Sequence, residues 1–268
     1  MAQAIELIEA ARAEGLDVTA DMYPYPAGST ALSALLPPWV HAGGRERLLA
    51  RLADPADRAR IQAVLDGPGM ARDAGWDGIA IAGCPARPEY EGQTLARIAA
   101  GLGVPPGEAA IEVLRQAKGD ADMVLFMMSE ENVALGLQRP WVMIGSDGEG
   151  RAAQGPYATG KPHPRNYGTC PRLLGHYVRG RGLLSLPEAI RKMTSLPASK
   201  LGLRDRGRLE PGAVADVVVF DPAAVADTAT FAEPHRYPRG IPWVLVNGEP
   251  VIAGGQHTGS RPGRVLAR

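Results

Sequence analysis

Apolar and polar positions over the first fifteen residues recur at helical spacing. In AQAIELIEAARAE, Ile5, Ile8 and Ala11 share a face with Arg12 beside them, which predicts a helix over 2–14 stopped by Gly15. LDVTADMYPY then changes period. Leu16, Val18 and Ala20 alternate with polar residues, which predicts a strand over 16–22, followed by a Pro/Gly/Ser loop from Pro24 to Ser29. Helix, glycine turn and strand make half of a βαβ unit. From 35 to 118 the pattern is helical but interrupted. ERLLARLADPADRARIQAVL reads as a helix broken at Asp54–Pro55, GIAIAG at 78–83 reads as a short apolar strand, and helices are expected over 93–101 and 107–118. This stretch predicts an inserted α-rich subdomain.

The second half returns to strand–helix alternation. MVLFMM at 123–128 reads as a buried strand, EENVALGLQ as a helix, and WVMIGSDG at 141–148 as a strand running into a polar turn. A long polar loop leads to Arg165, and helices are expected near 171–179, 186–194 and 196–202. The tail is β-rich. It has a strand at Asp216–Phe220 and a hairpin around Asn247–Gly248, the strongest short-range hairpin signal.

These elements predict an α/β fold: a partial TIM-like (β/α) barrel from residues 1–34 and 119–205, an α-rich insertion at 35–118, and a piece of a small β-sandwich at 206–268. Only three strands, 16–22, 123–128 and 141–146, are candidates for the parallel barrel, where a closed barrel requires eight. Three strands leave open edges. A missing N-terminal half, or a partner chain, is therefore expected to complete the barrel.

Charge and composition narrow the classes of function. The 268 residues carry 29 Lys+Arg and 29 Asp+Glu, a balance that argues against nucleic acid or an anionic membrane as the main partner. No apolar run is long enough to span a bilayer. Glu6, Glu9, Arg12 and Glu14 interrupt any leader-like apolar core at the N-terminus. The two cysteines, Cys84 and Cys170, have no CxxC or Cys/His zinc spacing, and both read as buried structural thiols. A cytoplasmic, reducing setting is expected.

Three places can carry chemistry. Asp147 follows the apolar strand of WVMIGSDGEG, where the βα loops of a barrel place catalytic groups; a carboxylate there can shuttle a proton, although Asp-Gly is equally a plain turn. His163, Arg165 and Tyr167 in KPHPRNYGT form a dense polar cluster stiffened by Pro162 and Pro164. Arg165 can clamp a substrate carboxylate bidentately, and a solvated loop fits the same pattern. Tyr23, Tyr25, Ser29 and Thr30 follow the first strand and can donate hydrogen bonds at the same rim, or simply form a turn. The five histidines include no His-X-His and no HExxH, so no zinc site assembles from them.

Taken in order, GLDVTADMYPYPAGSTALSALLPPWV, MMSEENV, IGSDG, HPRNYGTCPRLLG, AIRKMTSLPASKLGL, DRGRLEPGAVADVVVFDP, ATFAEPHRYPRGI and NGEPVIAGGQHTGSRPGRVL resemble the N-acyl-D-amino-acid deacylase (D-aminoacylase) family of the amidohydrolase superfamily. The resemblance runs from residue 1 to 268 and is least distinctive over 40–118. It implies zinc-dependent hydrolysis of an N-acyl-D-amino acid, a small-molecule substrate, to a D-amino acid and a carboxylate. It implies that Asp147 is the catalytic general base and acid, that Arg165 clamps the α-carboxylate, and that Tyr23 and Ser29 touch substrate. It also implies a metal site built from a His-X-His element, a bridging Cys and two further His, all before the point where this sequence starts. Cys170 stands where relatives often carry an aromatic residue and Gly28 where they often carry Ser, so no metal ligand is carried over. A cyclic amidase of the hydantoinase or dihydroorotase type and a non-catalytic binding protein are the alternatives. The 268-residue polypeptide alone is expected to be inactive, because nothing in it replaces the Lewis acid; a zinc-dependent deacylase rate from the purified chain would refute this.

Overall fold

The computed structural model describes residues 1–266. Its nine strands are β1 (Ala20–Met22), β2 (Gly28–Ala31), β3 (Ile79–Gly83), β4 (Asp122–Leu125), β5 (Val142–Ile144), β6 (Val217–Val219), β7 (Trp243–Val246), β8 (Glu249–Ala253) and β9 (Gln256–His257). They form three separate sheets, and the fold is mixed α/β.

The first sheet is the pair β1–β5, parallel, with Ala20 opposite Val142 and Met22 opposite Ile144. Helix α1 (Ala2–Ala13) precedes it and buries Ile5 against Trp141 and Val142. On the same side of the pair, Met22 and Ile144 pack on a second apolar cluster that includes Leu137, Leu173 and Tyr177. Asp21, pointing the other way along the period-two pleat, is exposed.

The stretch from 35 to 118 is largely helical, as its pattern predicts. It comprises α2 (Pro38–His41), α3 (Gly44–Ala53), α4 (Pro55–Leu65), α5 (Met70–Ala74), α6 (Leu95–Leu102) and α7 (Pro106–Gln116). The break expected at Asp54–Pro55 is a helix start. The Asp54 carboxylate accepts from Asp57 N–H at 2.9 Å, and Pro55 occupies the first turn, where its missing N–H costs nothing. One apolar core, running from Leu32 to Leu125, unites these helices with β3 and β4.

One strand differs from expectation. The run at 123–128 does not join the parallel sheet. Only Asp122–Leu125 is extended, and it is the centre of an antiparallel sheet of order β2–β4–β3. The reason is burial on both faces. Met123 and Leu125 enter the insertion core, while Val124 packs with Ala27 and Ala82. A central strand covered on both sides shows the same unbroken apolar run as a parallel barrel strand. Phe126, Met127 and Met128 leave the sheet and stay exposed. Two strands, not three, are therefore parallel.

After β4 come α8 (Glu130–Leu137), α9 (Arg165–Arg172) with a π-helical extension over Leu173–Gly180, α10 (Leu186–Met193) and α11 (Ser195–Lys200). The tail forms a four-stranded antiparallel sheet of order β6–β7–β8–β9. Its β7–β8 hairpin turns on Asn247 (φ +50°) and Gly248 (φ +83°), the left-handed pair that a two-residue turn of this twist requires. No helix among the described residues is long and apolar enough to cross a membrane.

The parallel pair is anchored from below by a buried cation. Lys192, on α10, is fully out of solvent, and its ammonium donates to the carbonyls of Arg139 and Val142, the latter at 3.0 Å, with Glu188 at 3.7 Å. Burial lowers its pKa to about 8, so it remains charged at neutral pH. Lys192→Met leaves two backbone carbonyls without their donor. The expected loss is about 2–3 kcal/mol of unfolding free energy, each orphaned polar group costing ~1–3. Urea unfolding at pH 7 measures it.

Candidate active site

Two loops leave the C-terminal ends of the parallel strands and meet. The first, Tyr23-Pro24-Tyr25-Pro26, follows β1. The second follows β5 and carries Asp147. Asp147 adopts a left-handed backbone (φ +46°), uncommon for a residue with a side chain. Its turn is closed by Gly148 N–H donating to Ser146 Oγ (3.2 Å) and Glu149 N–H donating to Asn166 Oδ1 (3.0 Å).

His163 organises the junction. The Arg165 backbone N–H donates to its Nδ1 at 3.0 Å, and its Nε2 lies 2.8 Å from the Ala27 carbonyl. The proton therefore sits on Nε2 and the ring is neutral. Tyr25, Tyr23 and Phe231 meet it edge-on, with ring centroids at 5.1, 5.8 and 5.0 Å. Burial is the main reason its pKa falls to about 4; the Ala27 bond opposes that shift and the Arg165 charge adds to it.

The structure brings Arg165 and Asp147 together. Arg165 opens α9 and is 8% exposed. Its guanidinium lies 4.7 Å from the Tyr23 ring centroid, a cation–π distance. Nη2 donates to Asp147 Oδ2 at 2.8 Å and to the Ser29 carbonyl at 3.3 Å. Nε and Nη1 are buried without a hydrogen-bond partner. Asp147, by contrast, keeps 69% of its side chain exposed. Tyr23 thus sits against the guanidinium, while the Ser29 hydroxyl is committed to the Met123 carbonyl at 2.9 Å. Tyr167 lies deeper, hydrogen-bonded to His235 Nδ1 at 3.2 Å.

These groups border a cleft of about 890 Å³ between the insertion sheet and the loops at 147–151 and 159–166. Ser29, Asp147, His163 and Arg165 line it, together with carboxylates the sequence reading passed over, among them Asp120 and Asp122. Those two flank the start of β4, and only the sheet order puts them at the cleft. His235 and Tyr237 were likewise missed as positioning groups. His235 Nε2 donates to the Gly160 carbonyl at 3.1 Å, and the Tyr237 hydroxyl accepts from Ala153 N–H at 3.0 Å. Of the two thiols, Cys84 is buried as expected and Cys170 is exposed, on the outer side of α9.

The profile described as "Amidohydrolase family" matches residues 40–252. The chain belongs to the amidohydrolase family. It is 40% identical over 266 residues to a D-aminoacylase of Alcaligenes xylosoxydans xylosoxydans, covering 99% of this chain and 45% of that protein. It is 39% identical over 261 residues to an N-acyl-D-glutamate deacylase of the same organism, covering 97% and 43%. The crystal structure of N-acyl-D-glutamate deacylase from Bordetella bronchiseptica, complexed with zinc and a phosphonate mimic of the tetrahedral intermediate, superposes with a TM-score of 0.74 at 37% identity, covering 98% of this chain and 45% of that one. The chain thus spans a little under half the length of the relatives it matches.

Zinc is the metal this family implies, and the donor set here does not fit it. No three His, Cys, Asp or Glu side chains converge among the described residues. His163 has both ring nitrogens engaged.

The buried imidazole has a measurable consequence. Folded His163 stays neutral down to about pH 4, whereas an unfolded histidine takes up its proton near pH 6.5. Its contribution to stability is complete above 6.5 and is lost as pH falls towards 4, a loss of about 3 kcal/mol. Thermal melts from pH 7.5 to 4 are expected to show this slope in the wild type, and His163→Asn to flatten it.

Proposed function

We propose that this chain forms the substrate-clamping and proton-handling side of a hydrolase that cleaves the amide of N-acyl-D-amino acids. The observation that carries the reading is the guanidinium of Arg165, a residue that lines the cleft and whose Nη2 meets the exposed Asp147 carboxylate there. An α-carboxylate is the planar acceptor that matches such a fork.

On this reading Arg165 binds the substrate carboxylate, with Tyr23 supporting the guanidinium and the Ser29 carbonyl fixing Nη2. Ser29 Oγ, whose hydrogen is donated in a hydrogen bond to the Met123 carbonyl, keeps lone pairs for a substrate N–H. Asp147 takes a proton from the attacking water and delivers it to the leaving nitrogen. Water oxygen adds to the carbonyl carbon, the C–N bond breaks, and the D-amino acid and the carboxylate separate. The carboxylate on Arg165 competes with Asp147 for the same cation, which loosens Asp147 as substrate arrives. Lewis-acid chemistry, where the family uses zinc, falls to residues outside this chain.

The strand geometry fits the same reading. β1 and β5 are neighbouring strands of a (β/α) barrel with both outer edges open, and the acting groups lie at their C-terminal ends, as barrel enzymes place them. The four-stranded tail sheet is a piece of a small β-sandwich. An N-terminal half or partner chain supplies the rest. The unpaired thiols fit a cytoplasmic setting.

Binding tests this without requiring turnover. N-acetyl-D-leucine is expected to bind the purified chain in titration calorimetry, and its methyl ester and a hydantoin, lacking the carboxylate, are not. Arg165→Ala should weaken binding roughly 30-fold or more, the loss expected when one partner of a desolvated charge pair is removed. Asp147→Asn should retain binding. Hydantoin binding with no carboxylate dependence would favour the cyclic-amidase alternative.

A further inference from the structure

One stretch of the cleft wall is held by side chains rather than by its own backbone. Between Arg151 and Gly160 the chain makes a single short helical turn, Gly155–Tyr157, and Tyr157 in that turn is 69% exposed. Arg151 pinches the base of the loop, its Nη2 donating to the carbonyl and the hydroxyl of Thr159 at 3.4 and 3.3 Å. Arg151, Thr159 and Gly160 all line the cleft. The seating of this loop therefore sets the shape of that wall.

Both ends of the loop reach one pair of side chains. His235 Nε2 lies 3.1 Å from the Gly160 carbonyl, and its Nδ1 lies 3.2 Å from the Tyr167 hydroxyl. That hydroxyl lies in turn 3.4 Å from the Ala152 carbonyl. A carbonyl only accepts, so Nε2 carries a proton. In neutral His235 the Nδ1 is then bare and takes the single Tyr167 proton, which leaves Ala152 without it. A second proton on the ring reverses the direction. Nδ1–H donates to the Tyr167 oxygen, the Tyr167 O–H turns to Ala152, and every acceptor from Gly160 to Ala152 has a donor. We propose that His235 and Tyr167 form a proton-operated latch: protonation of His235 from solvent fastens both ends of the loop and fixes the cleft wall, and deprotonation frees the Ala152 end.

The neighbouring charges leave the pair free to act this way. Glu233 and Arg236 pair with each other, and the Lys161 ammonium is committed to the Ala232 carbonyl. Burial raises the Tyr167 pKa, so the phenol keeps its one proton; Arg151 opposes that shift, and Tyr237 and Glu149 add to it. The Tyr237 hydroxyl accepts from Ala153 N–H whichever way Tyr167 points. His41, His176 and His257 stand on other elements, at the end of α2, in the π-helical turn and on β9.

Hydrogen exchange on the full chain tests the latch without any ligand, so its outcome is separate from that of the substrate-clamp reading. The reporters are the amides of Ala153, Ala158 and Lys161, the loop N–H groups that have acceptors. Their protection, corrected for intrinsic exchange, is expected to rise roughly three- to tenfold from pH 7.5 to 5.5, the worth of one added hydrogen bond. His163 acts in the opposite direction over this window, since its burial makes the fold less stable as pH falls below 6.5. His235→Gln, which donates and accepts but does not titrate, should hold the wild-type pH 7.5 protection at every pH. Tyr167→Phe keeps the ring packed on Ala153 and Ala229 and should abolish the rise. Amides of α6 and α7 report whether each variant is folded; if His235→Gln is not, Tyr167→Phe decides. Wild-type protection that stays flat or falls, or a rise that persists in either folded variant, would overturn the latch.

Discussion

The guanidinium of Arg165 lies out of solvent at the meeting point of every segment that forms the cleft. Removing such a charge from water costs several kcal/mol unless partners replace the lost hydration. The replacements come from distant parts of the chain: the Tyr23 ring after β1, the Ser29 carbonyl on β2, and the Asp147 carboxylate after β5. The replacement is incomplete, with two donors left over. The anion that meets it is the Asp147 carboxylate, which itself stays largely in solvent.

What holds the cation is itself held by a neutral histidine. His163 can accept from the Arg165 backbone and donate to Ala27 only while it carries a single proton, and the three aromatic rings around it exclude the water that would favour a second. The Pro-His-Pro order limits the freedom of this loop before folding, so less entropy is lost in fixing Arg165 at the first turn of α9. The loop at 149–163 has almost no regular structure of its own. It is pinned from the tail, by His235 to Gly160, by Tyr237 to Ala153 and by Lys161 to the Ala232 carbonyl at 3.0 Å. Gly160 lets the loop also lie close against β3, since a Cβ there would fall 2.6 Å from the Ala82 carbonyl.

Much of this was legible in the sequence, and the failures have a common cause. Local signals worked: the helix over 2–14, the helix break at Asp54–Pro55, the Asn247–Gly248 hairpin and the helical pattern between 35 and 118 are set by neighbours in sequence. The juxtaposition of Asp147 and Arg165 came from motif resemblance, because the loop between them, 148–164, carries no periodicity to place them. Strand pairing was misread at 123–128, where burial on both faces erased the alternation that distinguishes sheet types. The same misreading hid Asp120 and Asp122. They lie just before the 123–128 run, and its pairing as the centre of an antiparallel sheet puts them at the cleft. His235 and Tyr237 were visible only as part of a family-like motif, since their partners lie 68–84 residues away.

The cleft therefore divides its labour along the chain's own architecture. The ends of the parallel strands carry the groups that would handle the reacting bond, and they are rigid because α1, α10 and the Lys192 cation fix the strands beneath them. Asp120 and Asp122 stand on the facing wall, at the start of β4, whose sheet shares a core with the helices before it. The two regions bury most of their apolar surface in separate clusters, but β2 ties them together: the Ser29 carbonyl takes Arg165 Nη2 while its hydroxyl holds Met123 of β4. The position of Arg165 therefore depends on the pairing of β2 with β4 as much as on the parallel pair that leads to Asp147.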